Sequence, residues 1–168
     1  MVLVLLVGCG PSQRERQAAW TQAMQMELDA THDQWETAMA SHRFSTNGQA
    51  MRDLKARYEQ VYARWALRVD PLSQALLTYA VALANRVDRA AISQEDANRL
   101  YGTLKAEIDQ GGRVLAGQTP PSQREASMLR WWEGFWSTHR QTYQSTPGNP
   151  ITCSVVSNDA QGNSVTCD

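Results

Sequence analysis

Residues 70–87, DPLSQALLTYAVALANRV, decide the fold class, because they predict the central helix of the protein. Asp70 and Pro71 are typical of a helix start, where Asp accepts backbone N–H groups and Pro occupies the first helical position. Apolar residues then recur every three or four positions at Leu72, Leu76, Tyr79, Leu83 and Val87. Leu77, Val81 and Ala84 widen this stripe. The longest apolar run, residues 75–84, is too short to span a bilayer, so the segment predicts a core helix.

Helical patterns also surround this segment. They predict helices over residues 12–43, 49–68, 93–112 and 122–144. The third of these should weaken or kink at its end, at Gly111-Gly112. The sequence Pro-Ser-Gln-Arg-Glu occurs at Pro11 and Pro121, and its S-x-x-E form predicts a capping box at both places. Spacings of three and four predict core stripes that include Trp20, Met24, Leu28, Trp35, Met39, Met51, Leu54, Tyr58, Val61, Trp65, Ala97, Leu100, Tyr101, Leu104 and Ile108.

The last 18 residues have a different pattern. Ile151, Cys153 and Val155 alternate with polar residues, and residues 158–162 are of the types found in turns. Pairing Cys153 with Cys167 places Val155 opposite Val165, which predicts a disulfide-closed antiparallel hairpin. Intermolecular disulfides or free thiols are the alternative. The predicted fold is therefore all-α, a bundle of four or five helices with a small C-terminal β-hairpin.

The chain begins MVLVLLVGCG. Leu6-Val7-Gly8-Cys9 resembles the lipobox of bacterial lipoproteins, which implies a signal peptide over residues 1–8 and a mature protein that begins at acylated Cys9. The alternative is a short buried strand followed by a turn. The resemblance implies that the protein is anchored to a membrane. In such lipoproteins an Asp after the acylated cysteine is the usual signal for retention in the inner membrane, and this chain has Gly10 there. The resemblance therefore favours the outer membrane, with the domain in the periplasm. The predicted domains are then 9–150, the helical bundle, and 151–168, the hairpin appendage.

The cysteine count agrees with export. The chain has three cysteines, and an odd count in an exported protein leaves one thiol over. If Cys9 is acylated, Cys153 and Cys167 remain to form a pair, as oxidising compartments favour.

Composition and motifs exclude several functions. The 168 residues suit one domain, and the formal net charge of −1 gives no electrostatic reason to expect a nucleic-acid partner. The chain lacks a Gly-x-Ser-x-Gly elbow, Cys-x-x-Cys zinc spacing and a Walker or dinucleotide pattern. We therefore predict no catalytic residues and no cofactor.

Four aromatic residues lie within six positions of the last predicted helix: Trp131, Trp132, Phe135 and Trp136. One interpretation is that this helix is wedged deep in the bundle and buries them. The other is an exposed anchor for a partner, a glycan strand or a membrane interface.

A polar cluster on the first helix is a weak candidate metal site. Asp29, His32 and Glu36 share one face through steps of three and four, and such side chains can bind a divalent ion. The alternative is a solvated acidic face.

These observations favour a non-enzymatic function. We expect a lipid-anchored binding or scaffold module for another envelope protein or for peptidoglycan. The alternatives are a periplasmic hydrolase that cleaves cell-wall glycan with paired carboxylates and a metal-binding envelope protein.

Overall fold

The computed structural model describes residues 12–139, 151–158 and 162–167. The lipobox, Cys9 and the end of the predicted last helix beyond residue 139 lie outside the described residues. Within them, the helices are α1 (Gln13–Ala40), α2 (Asn47–Arg64), α3 (Pro71–Asp88), α4 (Gln94–Gln118) and α5 (Arg124–His139), and the strands are β1 (Cys153–Asn158) and β2 (Gly162–Cys167). The predicted fold class, a helical bundle with a C-terminal hairpin, is confirmed.

Side-chain caps explain where most of these helices begin. Ser12 and Glu15 form the predicted capping box at α1, and Asp70 accepts the backbone N–H groups of Leu72 and Ser73 at α3. The second predicted capping box is wrong. Pro120 and Pro121 initiate a 3₁₀ helix (Pro121–Gln123), so Ser122 lies inside that helix and the capping position is a proline without a side-chain acceptor.

Helix α3 is the centre of the bundle, as the sequence predicts. Ten of its eighteen residues are buried, and it packs against α2, α4, α5 and β2. Helix α1 lies at the edge of the bundle. It packs chiefly on α2, and only Met24 and Ala38 among its residues are buried. No helix in the described ranges is both long and apolar enough to cross a membrane.

The hairpin has the predicted register. Cys153 pairs with Cys167 and Val155 with Val165, and the two cysteines form a disulfide. The hairpin is integral to the main core rather than an appendage to the bundle. Ile151 and Val165 are 0% and 2% exposed and belong to the same apolar cluster as α3, α4 and α5.

Helix α4 continues through Gly111-Gly112 to Gln118, so the predicted weakening at the two glycines does not end it. Gly111 is buried against the indole ring of Trp131, and a Cβ atom at this position would lie 2.5 Å from Cε2 of that ring. The glycine is therefore needed for the close approach of α5 to α4.

Candidate functional site

The aromatic cluster of α5 lies in the core. Trp132, Phe135 and Trp136 are buried, and Trp131 is half-buried. The rings of Trp132 and Trp136 stack with centroids 5.2 Å apart, and those of Trp131 and Phe135 stack at 5.0 Å. Because three of the four rings pack inside the bundle, the structure favours the first interpretation, in which the helix buries its aromatic residues.

The three weak metal candidates do not form a site. Nε2 of His32 lies 3.3 Å from a carboxylate oxygen of Glu36, but Asp29 accepts a hydrogen bond from the Gln25 amide at 2.8 Å. Within the described ranges, no group of three or more His, Cys, Asp or Glu side chains is arranged to bind a metal ion. The structure therefore does not support the metal-site interpretation of Asp29, His32 and Glu36.

A groove between α1 and α4 is a concave site formed by described residues. Helix α1 packs on α2, α2 on α3, and α3 on α4, whereas α1 and α4 share no comparable packed interface. The resulting cavity of about 300 Å³ has α1 and α4 as walls and α2 and α3 as floor. Trp35 and Tyr101 line the walls, and Leu54 and Leu83 line the floor.

Alanine residues create the depth of this groove. Ala50, Ala80, Ala84 and Ala97 line it from α2, α3 and α4, and each is buried. A larger side chain at these positions would occupy the space between the helices. The groove is therefore a consequence of small residues that face one another across the bundle.

Hydrogen bonds hold the α1 wall in place. Trp35 Nε1 donates to the main-chain oxygen of Ala50 at 2.8 Å, which ties α1 to α2. His32 Nδ1 lies 3.1 Å from the hydroxyl of Tyr58, and its other ring nitrogen contacts Glu36. Because these contacts position both rings of the wall, the groove is formed before any ligand enters it.

The lining of the groove carries no formal charge. No Asp, Glu, Lys or Arg contributes to it, and its polar members are His32, Asn47, Gln94, Asn98 and Tyr101. Burial, its largest cause, raises the pKa of Tyr101 above the ordinary value of 10.0, so the hydroxyl is protonated at neutral pH. The Tyr101 hydroxyl makes no hydrogen bond to the residues that the structure describes.

Four carboxyl groups have pKa values shifted in the direction opposite to that of a general acid. Hydrogen bonds lower the pKa of Glu15, Glu27 and Asp96. Burial would raise the pKa of Asp88, but the hydrogen bonds from Gly48 and neighbouring groups outweigh it and lower the pKa. A general acid at neutral pH needs a raised carboxyl pKa, so none of these four groups has the required shift.

The groove cannot be recognised from the sequence pattern. Trp35, Leu54 and Tyr101 have the spacing of core residues, and each belongs to the apolar stripe of its own helix. In comparisons with known proteins, no family model matches the chain, and no curated protein or solved structure is detectably similar to it.

Proposed function

We propose that the protein is a non-enzymatic binding or scaffold protein of the bacterial envelope, anchored to the outer membrane through acylated Cys9, with the α1–α4 groove as its binding site. The groove is the observation that carries the binding function. It is concave, uncharged and built from four helices, and its α1 wall is fixed by hydrogen bonds.

Two alternatives from the sequence have less support. A glycan hydrolase with paired carboxylates needs two acidic side chains at a cleft, and none lines the groove. A metal-binding function needs a ligand cluster, and Asp29, His32 and Glu36 do not provide one.

The anchor is supported by the lipobox resemblance of Leu6-Val7-Gly8-Cys9 and is tested in cells. The full chain is expressed in a bacterial host that is fed radiolabelled palmitate, and the membranes are then fractionated. We expect label in the protein and recovery of the protein with the outer membrane, with both lost in Cys9→Ser. An unlabelled wild-type protein that fractionates like Cys9→Ser would contradict the anchor.

The binding function is tested by photo-crosslinking from inside the groove. Met51 is half-buried in the lining and is replaced by a photoreactive phenylalanine analogue, while exposed Ala106 on α4 takes the same analogue as a control. We expect crosslinks from position 51 that disappear when Ala84→Phe fills the groove. Equal crosslinking from position 106, or crosslinks that survive Ala84→Phe, would show that the groove is not the binding site.

A further inference from the structure

We infer that the α1–α4 groove binds a neutral small molecule that has a flat, largely apolar body and one hydrogen-bonding group. This inference rests on the proposed function, because it takes the groove to be the binding site, and it adds the chemical class of the ligand.

Charge is the first constraint on the ligand. With no Asp, Glu, Lys or Arg in the lining, a charged group inside the groove would lose its water without gaining an ionic partner. Burial of an unpaired charge is strongly unfavourable, whereas transfer of apolar surface out of water is favourable. The groove therefore selects a neutral ligand.

Size is the second constraint. The lining runs from His32 to Met39 on α1, from Asn47 to Leu54 on α2 and from Gln94 to Tyr101 on α4, and each of these steps spans about 10 Å of helix. A two-turn helix of a partner protein, about 10 Å in both length and diameter, would occupy roughly 800 Å³. The cavity of about 300 Å³ does not admit such a helix but lies within the range of small-molecule sites.

The shape and softness of the lining favour a flat ring system. The rings of His32 and Trp35 lie next to each other on the α1 wall, with centroids 5.7 Å apart, and both are held by hydrogen bonds. Ring faces that are already fixed can stack on a planar ligand at little cost in conformational entropy. Met39 and Met51 complete the lining, and their flexible thioether side chains adapt to the outline of a ligand.

Tyr101 supplies the polar contact. It is half-buried in the lining, and its hydroxyl makes no hydrogen bond to a described residue, although the charges of Lys105 and Asp109 act on it. A partly buried hydroxyl without a hydrogen bond is a ready donor or acceptor for a ligand. The ligand is therefore expected to carry one hydrogen-bonding group at the edge of its apolar body.

The test uses two fluorescent probes with nearly the same rings. N-phenyl-1-naphthylamine is neutral, and 8-anilinonaphthalene-1-sulfonate adds one negative charge. Each probe is titrated into the folded full chain under oxidising conditions. We expect saturable one-to-one binding of the neutral probe and at least about tenfold weaker binding of the sulfonate, because the groove offers its charge no partner.

Variants connect binding to the groove. Ala84→Phe should abolish binding of the neutral probe, Ala106→Phe should leave it unchanged, and Tyr101→Phe should weaken it by about two- to tenfold through loss of one hydrogen bond. Circular dichroism and thermal unfolding establish that each variant folds. If Ala84→Phe does not fold, Ala80→Leu provides a smaller filling substitution on the same helix.

Three results would overturn the inference: no binding of the neutral probe, sulfonate binding as tight as neutral binding, or binding that Ala84→Phe leaves intact. Loss of probe binding when the protein dimerises at high concentration would also overturn the inference, because the groove would then be occupied by a second copy of the chain. These failures are distinct from failure of the proposed function. Palmitate labelling and crosslinking from position 51 report the anchor and the binding site without assuming any ligand class.

Discussion

Two adjacent glycines on α4 provide a sharp test of the packing between α4 and α5. At Gly111 a Cβ atom would lie 2.5 Å from Cε2 and 2.9 Å from Cη2 of Trp131, whereas at Gly112 the nearest atom, Leu72 Cδ1, would be 4.0 Å away. The Trp131 ring cannot easily retreat, because it stacks on Phe135 with centroids 5.0 Å apart. We predict that Gly111→Ala destabilises the protein relative to Gly112→Ala.

The comparison isolates the steric cost. Alanine is favoured over glycine in a helix interior by about 1 kcal/mol, and this gain is common to both variants. Overpacking of a well-filled interior costs about 1–3 kcal/mol and applies only at Gly111. The two free energies of unfolding should therefore differ by about 1–3 kcal/mol, with Gly112→Ala more stable than the wild type by up to about 1 kcal/mol.

The assay is urea unfolding followed by far-ultraviolet circular dichroism, with the disulfide intact. In thermal unfolding, the midpoints of the two variants should differ by about 2–12 °C for a chain of this size. Trp131→Leu provides the decisive background, because removal of the indole should remove most of the cost of Gly111→Ala. Equal stabilities of Gly111→Ala and Gly112→Ala, or a cost that persists without the indole, would refute the assignment of Gly111 to close packing.

Three further predictions concern other contacts. Asp88 accepts a hydrogen bond from the backbone N–H of Gly48 at 2.7 Å, so Asp88→Ala should lower the free energy of unfolding by about 1–2 kcal/mol. Because folding lowers the pKa of the Asp88 carboxyl, this loss should be complete at neutral pH and should disappear as the pH falls through the folded-state pKa. A loss that does not change with pH in urea unfolding would contradict this prediction. Replacement of both Cys153 and Cys167 by Ala should lower the free energy of unfolding by about 3 kcal/mol, from loop closure over a separation of 14 residues; a double variant as stable as the oxidised protein would be inconsistent with the native disulfide. Trp35→Phe removes the hydrogen bond from α1 to α2 and should lower the free energy of unfolding by about 1 kcal/mol and weaken probe binding. Urea unfolding and fluorescence titration measure the two effects. If neither value changes, this hydrogen bond does not fix the α1 wall of the groove.

Local features of the fold were predictable because their chemistry involves neighbouring residues. The Ser12 capping box and the Asp70 cap depend on groups within three residues of each other. The hairpin register follows from alternation around Cys153 and Cys167. These elements could be read from sequence because each one satisfies its hydrogen bonds or its side-chain pattern within a short segment.

The groove and the role of Gly111 depend on contacts between distant segments. Trp35 and Tyr101 each follow a regular apolar stripe, and no local pattern shows that their helices stay apart. Likewise, the Gly111-Gly112 pair predicts a weakened helix end, although the neighbour of Gly111 in space is Trp131 of the next helix. The candidate site therefore required the arrangement of four helices, which is a property of packing rather than of any one segment.

The docking of the hairpin on α3 has a consequence for the order of folding. The Thr78 hydroxyl lies 3.5 Å from the main-chain oxygen of Val165, which is 87 residues away in sequence. Contacts of such long range raise the contact order, so we expect slower folding than in a bundle whose helices meet only their sequence neighbours. The disulfide closes a short loop and is able to form before docking, but one face of α3 stays uncovered until β2 arrives. During that interval the partly folded chain exposes apolar surface and is most prone to aggregation.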